Sequence, residues 1–203
     1  MIGQRIEQES FRIIHGEIGA HGFSEDQLAI VVRIIHATAD FDFKETIRFH
    51  PAAIQSGVEA LRRGCTVITD VRMVEVGISA HLLNSFGGKT ICVIGVPEVA
   101  ELAEREGLTR STAAMRLLGQ ELNGNVVAVG NAPTALLEIV RLIWEEGIRP
   151  ALVIGVPVGF VNTAESKEQL LGLDVPYITA VGRKGGSTVA VATVNALLRL
   201  ARQ

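Results

Sequence analysis

From residue 65 to its end the chain repeats one local alternation: a short apolar run, a turn-rich loop, then a helical segment. The runs are Thr66 to Thr69, Thr90 to Gly95, Asn125 to Gly130, Ala151 to Val156 and Tyr177 to Val181. Helix-length segments separate them, so they pair through right-handed crossovers and not through hairpins, which gives a mostly parallel sheet covered on both faces. Apolar residues at 48% with aromatics at only 4% suit that arrangement, because the core must then be Val, Ile, Leu and Ala. The expected fold is a single α/β domain over 1–203, Rossmann-like and three-layered. It has a five-stranded, mostly parallel sheet in residues 65–203 and a helical part in 1–64.

The remaining elements follow from periodicity and stop signals. Helices are expected over 3–19, with Ile6, Ser10, Ile13 and Ile14 along one side, and over 25–38. The latter carries Leu28, Val31, Val32 and Ile35 at helical spacing after the capping box of Ser24 and Gln27. An acidic-aromatic loop, Asp40 to Phe43, precedes an extended piece at Thr46 to Phe49. Pro51 then opens a helix that ends at Arg62, Arg63 and Gly64. Later helices are expected over 71–85, broken near Gly77, over 98–122, split at Gly107, and over 134–146, 164–171 and 187–202.

In a parallel sheet the segments that follow the strands gather at one carboxyl edge, where open α/β folds bind ligands. Here they are Asp70 to Met73, Gly95 to Pro97, Gly130 to Thr134, Gly155 to Asn162 and Gly182 to Thr188. Glycine-rich loops bring backbone N–H groups and helix N-termini to bear on an anion. GRKGGST adds two cations and two hydroxyls. It is not a Walker loop, since its lysine precedes the glycine pair, and GVPVGF lacks the dinucleotide spacing, which disfavours a nucleotide-dependent enzyme.

A net charge of −3 gives no general attraction to nucleic acid, so any anion must be held locally. Cys65 and Cys92 sit in apolar runs without zinc spacing and read as buried thiols of a reducing, cytoplasmic protein. No apolar run reaches membrane-spanning length uninterrupted.

The helix over 25–38 brings Arg33 and His36 to the same side, one turn apart. His36 reads either as an acid beside an anionic ligand or as a half-buried histidine hydrogen-bonded within the core. Ser10 is either a ligand contact or a hydroxyl bonded back to the preceding turn. Arg110, a cation in a helix first turn, marks an anionic partner or a tolerated surface charge. Asp70 and Arg72 allow an ion pair. His36, Asp40 and Asp42 follow no standard metal-ligand spacing, and no metal is expected. No serine or cysteine lies in a nucleophile motif. The residues alone describe a cytoplasmic α/β protein that binds a small polyanion and carries one candidate acid.

Five stretches, RIIHATADFDF, TDVRMVEVGI, GNAPTAL, GVPVGFVNTAESKE and GRKGGS, closely resemble the precorrin-8X methylmutase family of cobalamin biosynthesis along nearly the whole chain. The resemblance implies an isomerase that moves a methyl group from ring-C carbon eleven to carbon twelve by a suprafacial 1,5-sigmatropic shift. It implies no cofactor, a homodimer with sites near the subunit interface, and tight product binding suited to transfer to the next enzyme. The family's catalytic histidine falls on His36, as proton donor. Ser10, Arg33 and Arg110 fall where the family contacts its corrinoid substrate, whose carboxylate arms need hydrogen bonds and guanidinium clamps. Asn131, Gly159, Asn162, Arg183, Lys184, Gly185, Gly186 and Ser187 lie in loops that would hold further arms. ATADFDF resembles the anaerobic, early-cobalt branch, which implies cobalt-precorrin-8, its cobalt part of the ligand. A non-catalytic tetrapyrrole carrier is the competing class, and only His36 separates it from the enzyme.

Overall fold

A computed structural model describes residues 2–203. Strands β2 (Thr66–Thr69), β3 (Lys89–Ile91), β4 (Val126–Val129), β5 (Leu152–Gly155) and β6 (Tyr177–Ala180) are mutually parallel, and β1 (Ile47–Phe49) lies antiparallel to β6. The order is β1-β6-β5-β4-β2-β3, so the sheet has six strands and not the expected five. The added one is the extended piece before Pro51. Its pairing continues past both ends, with Val181 N–H donating to Thr46 and His50 N–H to the Tyr177 carbonyl, each at 2.9 Å. The run expected over Thr90 to Gly95 is strand only as far as Ile91. It is an edge strand paired with β2 alone, and its ladder ends at Ile91 opposite Ile68, one residue before β2 itself ends.

Central β4 and β5 are buried at every position, as continuous apolar runs covered on both faces require. Alternation sends Val126 and Ala128 to one core and Val127 and Val129 to the other. The first core is covered by α1 (Ile2–Glu17), α2 (Glu25–Thr38), α4 (Ala53–Arg62), α5 (Arg72–Gly77), α6 (Ala80–Ser85) and α11 (Ser187–Leu200). The second is covered by α7 (Pro97–Glu106), α8 (Arg110–Leu118), α9 (Pro133–Glu146) and α10 (Thr163–Leu171). A single turn, α3 (Phe43–Thr46), follows the acidic loop.

The capping box of α2 forms, with Ser24 Oγ accepting from Gln27 N–H at 3.3 Å and Gln27 Oε1 accepting from Ser24 N–H at 3.0 Å. Ala39 ends the helix in the left-handed region at φ 53°. The chain breaks after Gly77, a position that must be glycine because a Cβ there would lie 2.6 Å from Val191 Cγ2 on α11. Asn195 of α11 holds that break from both sides, accepting from Ser79 N–H at 2.8 Å and donating to the Gly77 carbonyl at 3.0 Å. The inward stripe is Phe11 and Ile14 on α1 and Ile18 just past its end. Ile6 and Ile13, expected inside, are exposed, because the helix meets the core through the face of Phe11 and Ile14.

Candidate functional site

α2 packs chiefly against α11, and this pairing places His36 in the last turn of α2 beside the first turns of α11. His36 is exposed, makes no hydrogen bond among the described residues, and rests its ring 5.0 Å from that of Phe11. The core-histidine reading therefore does not hold. The imidazole forms a wall shared by two cavities. One, of about 240 Å³, is lined by Arg33, Ser79, Leu82, Thr188 and Arg199 among others, with no carboxylate in its lining. The other, of about 290 Å³, is lined by Ser10, Ile13, Ile14, Glu17 and Phe41 among others.

The guanidinium carbon of Arg33 lies 4.9 Å from the Phe11 ring centre, and its Nη1 lies 3.6 Å from a Glu7 carboxylate oxygen. Burial pushes its pKa below the ordinary value, and the charge of Arg199 pushes the same way. Two cations thus face one cavity with, among the described residues, a single loosely held counter-ion, an arrangement that an incoming carboxylate would relieve. Ser10 donates to the Ile6 carbonyl at 2.9 Å, the bond back to the preceding turn, and it also lines the second cavity.

The loops after β4, β5 and β6 meet. Gly130 lies against the start of α11, where a Cβ would come within 2.8 Å of Ser187 Cα. Gly186 N–H donates to the Val156 carbonyl at 2.8 Å and Gly159 N–H to the Arg183 carbonyl at 3.3 Å. Arg183 covers the exposed Phe160 ring at 5.5 Å. Asn162, at φ 59°, turns the chain into α10. Replacing Gly185 by alanine drives a Cβ into the backbone oxygens of Val156 and Pro157. Such overpacking is expected to destabilise the protein by about 1–3 kcal/mol, read as a fall in Tm.

Lys184 is placed differently from a free anion-binding cation. Its ammonium lies 2.6 Å from an Asp40 oxygen and 2.7 Å from an Asp42 oxygen, which joins the loop after His36 to the loop after β6. The pair holds the Asp40 carboxyl below and the Lys184 ammonium above their usual values, in each case mainly through these hydrogen bonds. Asp70 makes no ion pair with Arg72 among the described residues. Fully buried, it accepts from the N–H groups of Gly130 at 3.0 Å, Asn131 at 2.8 Å and Ala132 at 2.8 Å. Burial raises its pKa against the pull of those donors. Arg110, exposed at the start of α8, stands on the opposite layer and lines neither His36 cavity. Cys65 and Cys92 are half-buried, and burial raises both thiols, so neither is an activated nucleophile.

Two residues were not anticipated. Arg199 shares a face with Thr188, Val191, Ala192 and Asn195, a helical spacing from which its position could have been read. Lys167 belongs to the inward stripe Thr163, Ser166, Lys167 and Leu170, which the helical period would have revealed.

This geometry has close relatives. A family profile described as Precorrin-8X methylmutase matches residues 5–200. A cobalt-precorrin-8 methylmutase of Leptospira interrogans is 48% identical over 98% of this chain and 94% of its own. One of Priestia megaterium is 50% identical over 98% and 88%. The crystal structure of a precorrin-8X methyl mutase from Thermus thermophilus superposes with a TM-score of 0.90 at 44% identity, covering 97% of each chain. By sequence and by fold, this chain belongs to the precorrin-8X methylmutase family, isomerases of cobalamin biosynthesis.

Proposed function

We propose that residues 1–203 act as one methylmutase domain that converts cobalt-precorrin-8 to cobyrinate, with His36 as the proton donor. The observation that carries this reading is the exposed imidazole between two cavities, with Ser10 on one side and Arg33 on the other. A corrinoid lying over that wall would set its carboxylate arms toward the guanidinium and its ring against the apolar residues. Protonation on the ring-C side draws electron density from the conjugated system and makes carbon twelve a better terminus for the migrating methyl. The bond to carbon eleven breaks as that to carbon twelve forms, the π electrons shift, and the borrowed proton is returned. No atom is gained or lost. Asn131, the loop from Gly159 to Asn162, and the loop from Arg183 to Ser187 would hold further arms through backbone and side-chain donors.

Arg110 favours a homodimer in this reading, since within one chain it stands on the other layer from His36 and a second subunit offers a route for it to reach substrate. The relatives named for the cobalt-containing substrate, with the ATADFDF segment, support the cobalt form as the physiological one. Tight product binding would suit direct transfer to the next enzyme of the pathway. The test is the absorbance change when purified protein meets cobalt-precorrin-8 and, separately, metal-free precorrin-8X. Conversion of both, faster for the cobalt form, is expected. Binding of both macrocycles with conversion of neither would make the protein a carrier.

A further inference from the structure

The largest fully buried side chain of the protein is a cation. Lys167, on α10, has 0% exposure and no carboxylate within salt-bridge distance among the described residues. Its ammonium donates to the carbonyl oxygens of Gly182 at 3.0 Å and Lys184 at 2.7 Å. An unpaired ammonium is expensive to bury, and a leucine or methionine would fill the same volume without that penalty. Packing therefore does not account for the residue. What a lysine adds is its hold on two carbonyls of one loop.

In a trans peptide the C=O and N–H point in opposite directions. With the Gly182 and Lys184 carbonyls turned toward α10, the N–H groups of Arg183 and Gly185 face away from it. Neither donates a hydrogen bond among the described residues. The loop that bears them is tied through Lys184 to Asp40 and Asp42, and it runs directly into the turn of α11 whose Thr188 lines the His36 cavity. Gly185 allows the close approach to the loop after β5 that fixes the second peptide.

We infer that Lys167 is a positioning residue, which holds the 182–186 loop so that the Arg183 and Gly185 amides form a paired donor for one carboxylate arm of the substrate. Burial lowers the lysine pKa to about 8, in keeping with a cation held by neutral carbonyls alone. This inference rests on the corrinoid reading of the site for the identity of the carboxylate.

The experiment has two arms. Lys167→Met is compared with wild type for KM and kcat on cobalt-precorrin-8, and 15N-labelled wild type is titrated with the corrin product and, separately, with sodium acetate. The expected result is a KM raised by roughly tenfold or more with kcat within about threefold, as loss of a ground-state contact requires. The Arg183 and Gly185 amide resonances should shift with both ligands. A folded variant with unchanged KM, or wild-type amides unmoved by either ligand, overturns the inference. Should the variant fail to fold, the wild-type titrations decide. If wild type neither binds nor converts a corrinoid, the functional reading fails, and the acetate titration still shows whether these two amides receive a carboxylate.

Discussion

His36→Asn is expected to slow conversion of cobalt-precorrin-8 by about 10²–10⁴-fold, the usual worth of a positioned general acid, while the corrinoid still binds. Asparagine keeps a polar side chain of similar reach but has no proton to transfer near neutral pH. The exchange should leave the fold intact, because the imidazole is exposed and makes no hydrogen bond among the described residues. Removing it is expected to alter stability by no more than about 0.5 kcal/mol, as for other surface positions. The groups that would grip the carboxylate arms, Ser10 and Arg33 in the cavities and the loops beyond, are untouched. Single-turnover absorbance, a binding titration and a thermal melt separate the three effects. Turnover near the wild-type rate would assign the proton to another donor.

The second large effect is structural. Asp70→Ala is expected to destabilise the protein by roughly 3–5 kcal/mol, since each buried donor left without a partner costs about 1–3 kcal/mol. The mutation orphans three backbone N–H groups at the turn from β4 into α9, two of them in fully buried surroundings. Loss of a buried charge offsets part of that cost, because burial already opposes ionisation of this carboxyl. Asp70→Asn should fall between, as it keeps one acceptor oxygen but turns an amide N–H₂ toward a backbone donor. Urea denaturation checks both variants: a lower midpoint at unchanged slope marks a true loss of stability. A midpoint equal to wild type would mean that water satisfies the loop.

The legible and illegible parts of this chain differ in range. Helix α2 could be read residue by residue, since a capping box opens it and an apolar stripe runs through it, all within 14 residues. The runs that became β4 and β5 are continuously apolar and needed no partner to be recognised. The pairing of β1 with β6 was not readable, because three residues at a sheet edge carry no pattern until their neighbour is known. The length of β3 is illegible for a like reason, as an apolar run at a sheet edge does not show how far its single partner will pair with it.

In the site, Arg33 and His36 could be placed on one side by spacing alone. That Lys184 would be matched by Asp40 and Asp42 could not, with more than 140 residues between them. Nor does the chain announce that Arg110 and His36 occupy different layers. The spacing of Lys167 did mark it as inward-facing, but the carbonyls it holds lie 15 and 17 residues away. Membership of the methylmutase family was legible only through the five stretches that resemble it; loops, glycines and cations alone lead to an anion site and stop there.

Because the helix that carries His36 leans on α11, the cavity beside it cannot form until that distant helix has been made. Until residues 187–200 have emerged and docked, the apolar face of α2 lacks its main cover and the cavity lacks its Thr188 and Arg199 wall. Contacts of this sequence separation form late and slowly, with apolar surface open to misassociation in the meantime. Only a chain whose α11 has docked can therefore present the whole His36 cavity. Whatever ligand bridges α2 and α11 then acts as a clasp between two segments that lie far apart along the chain.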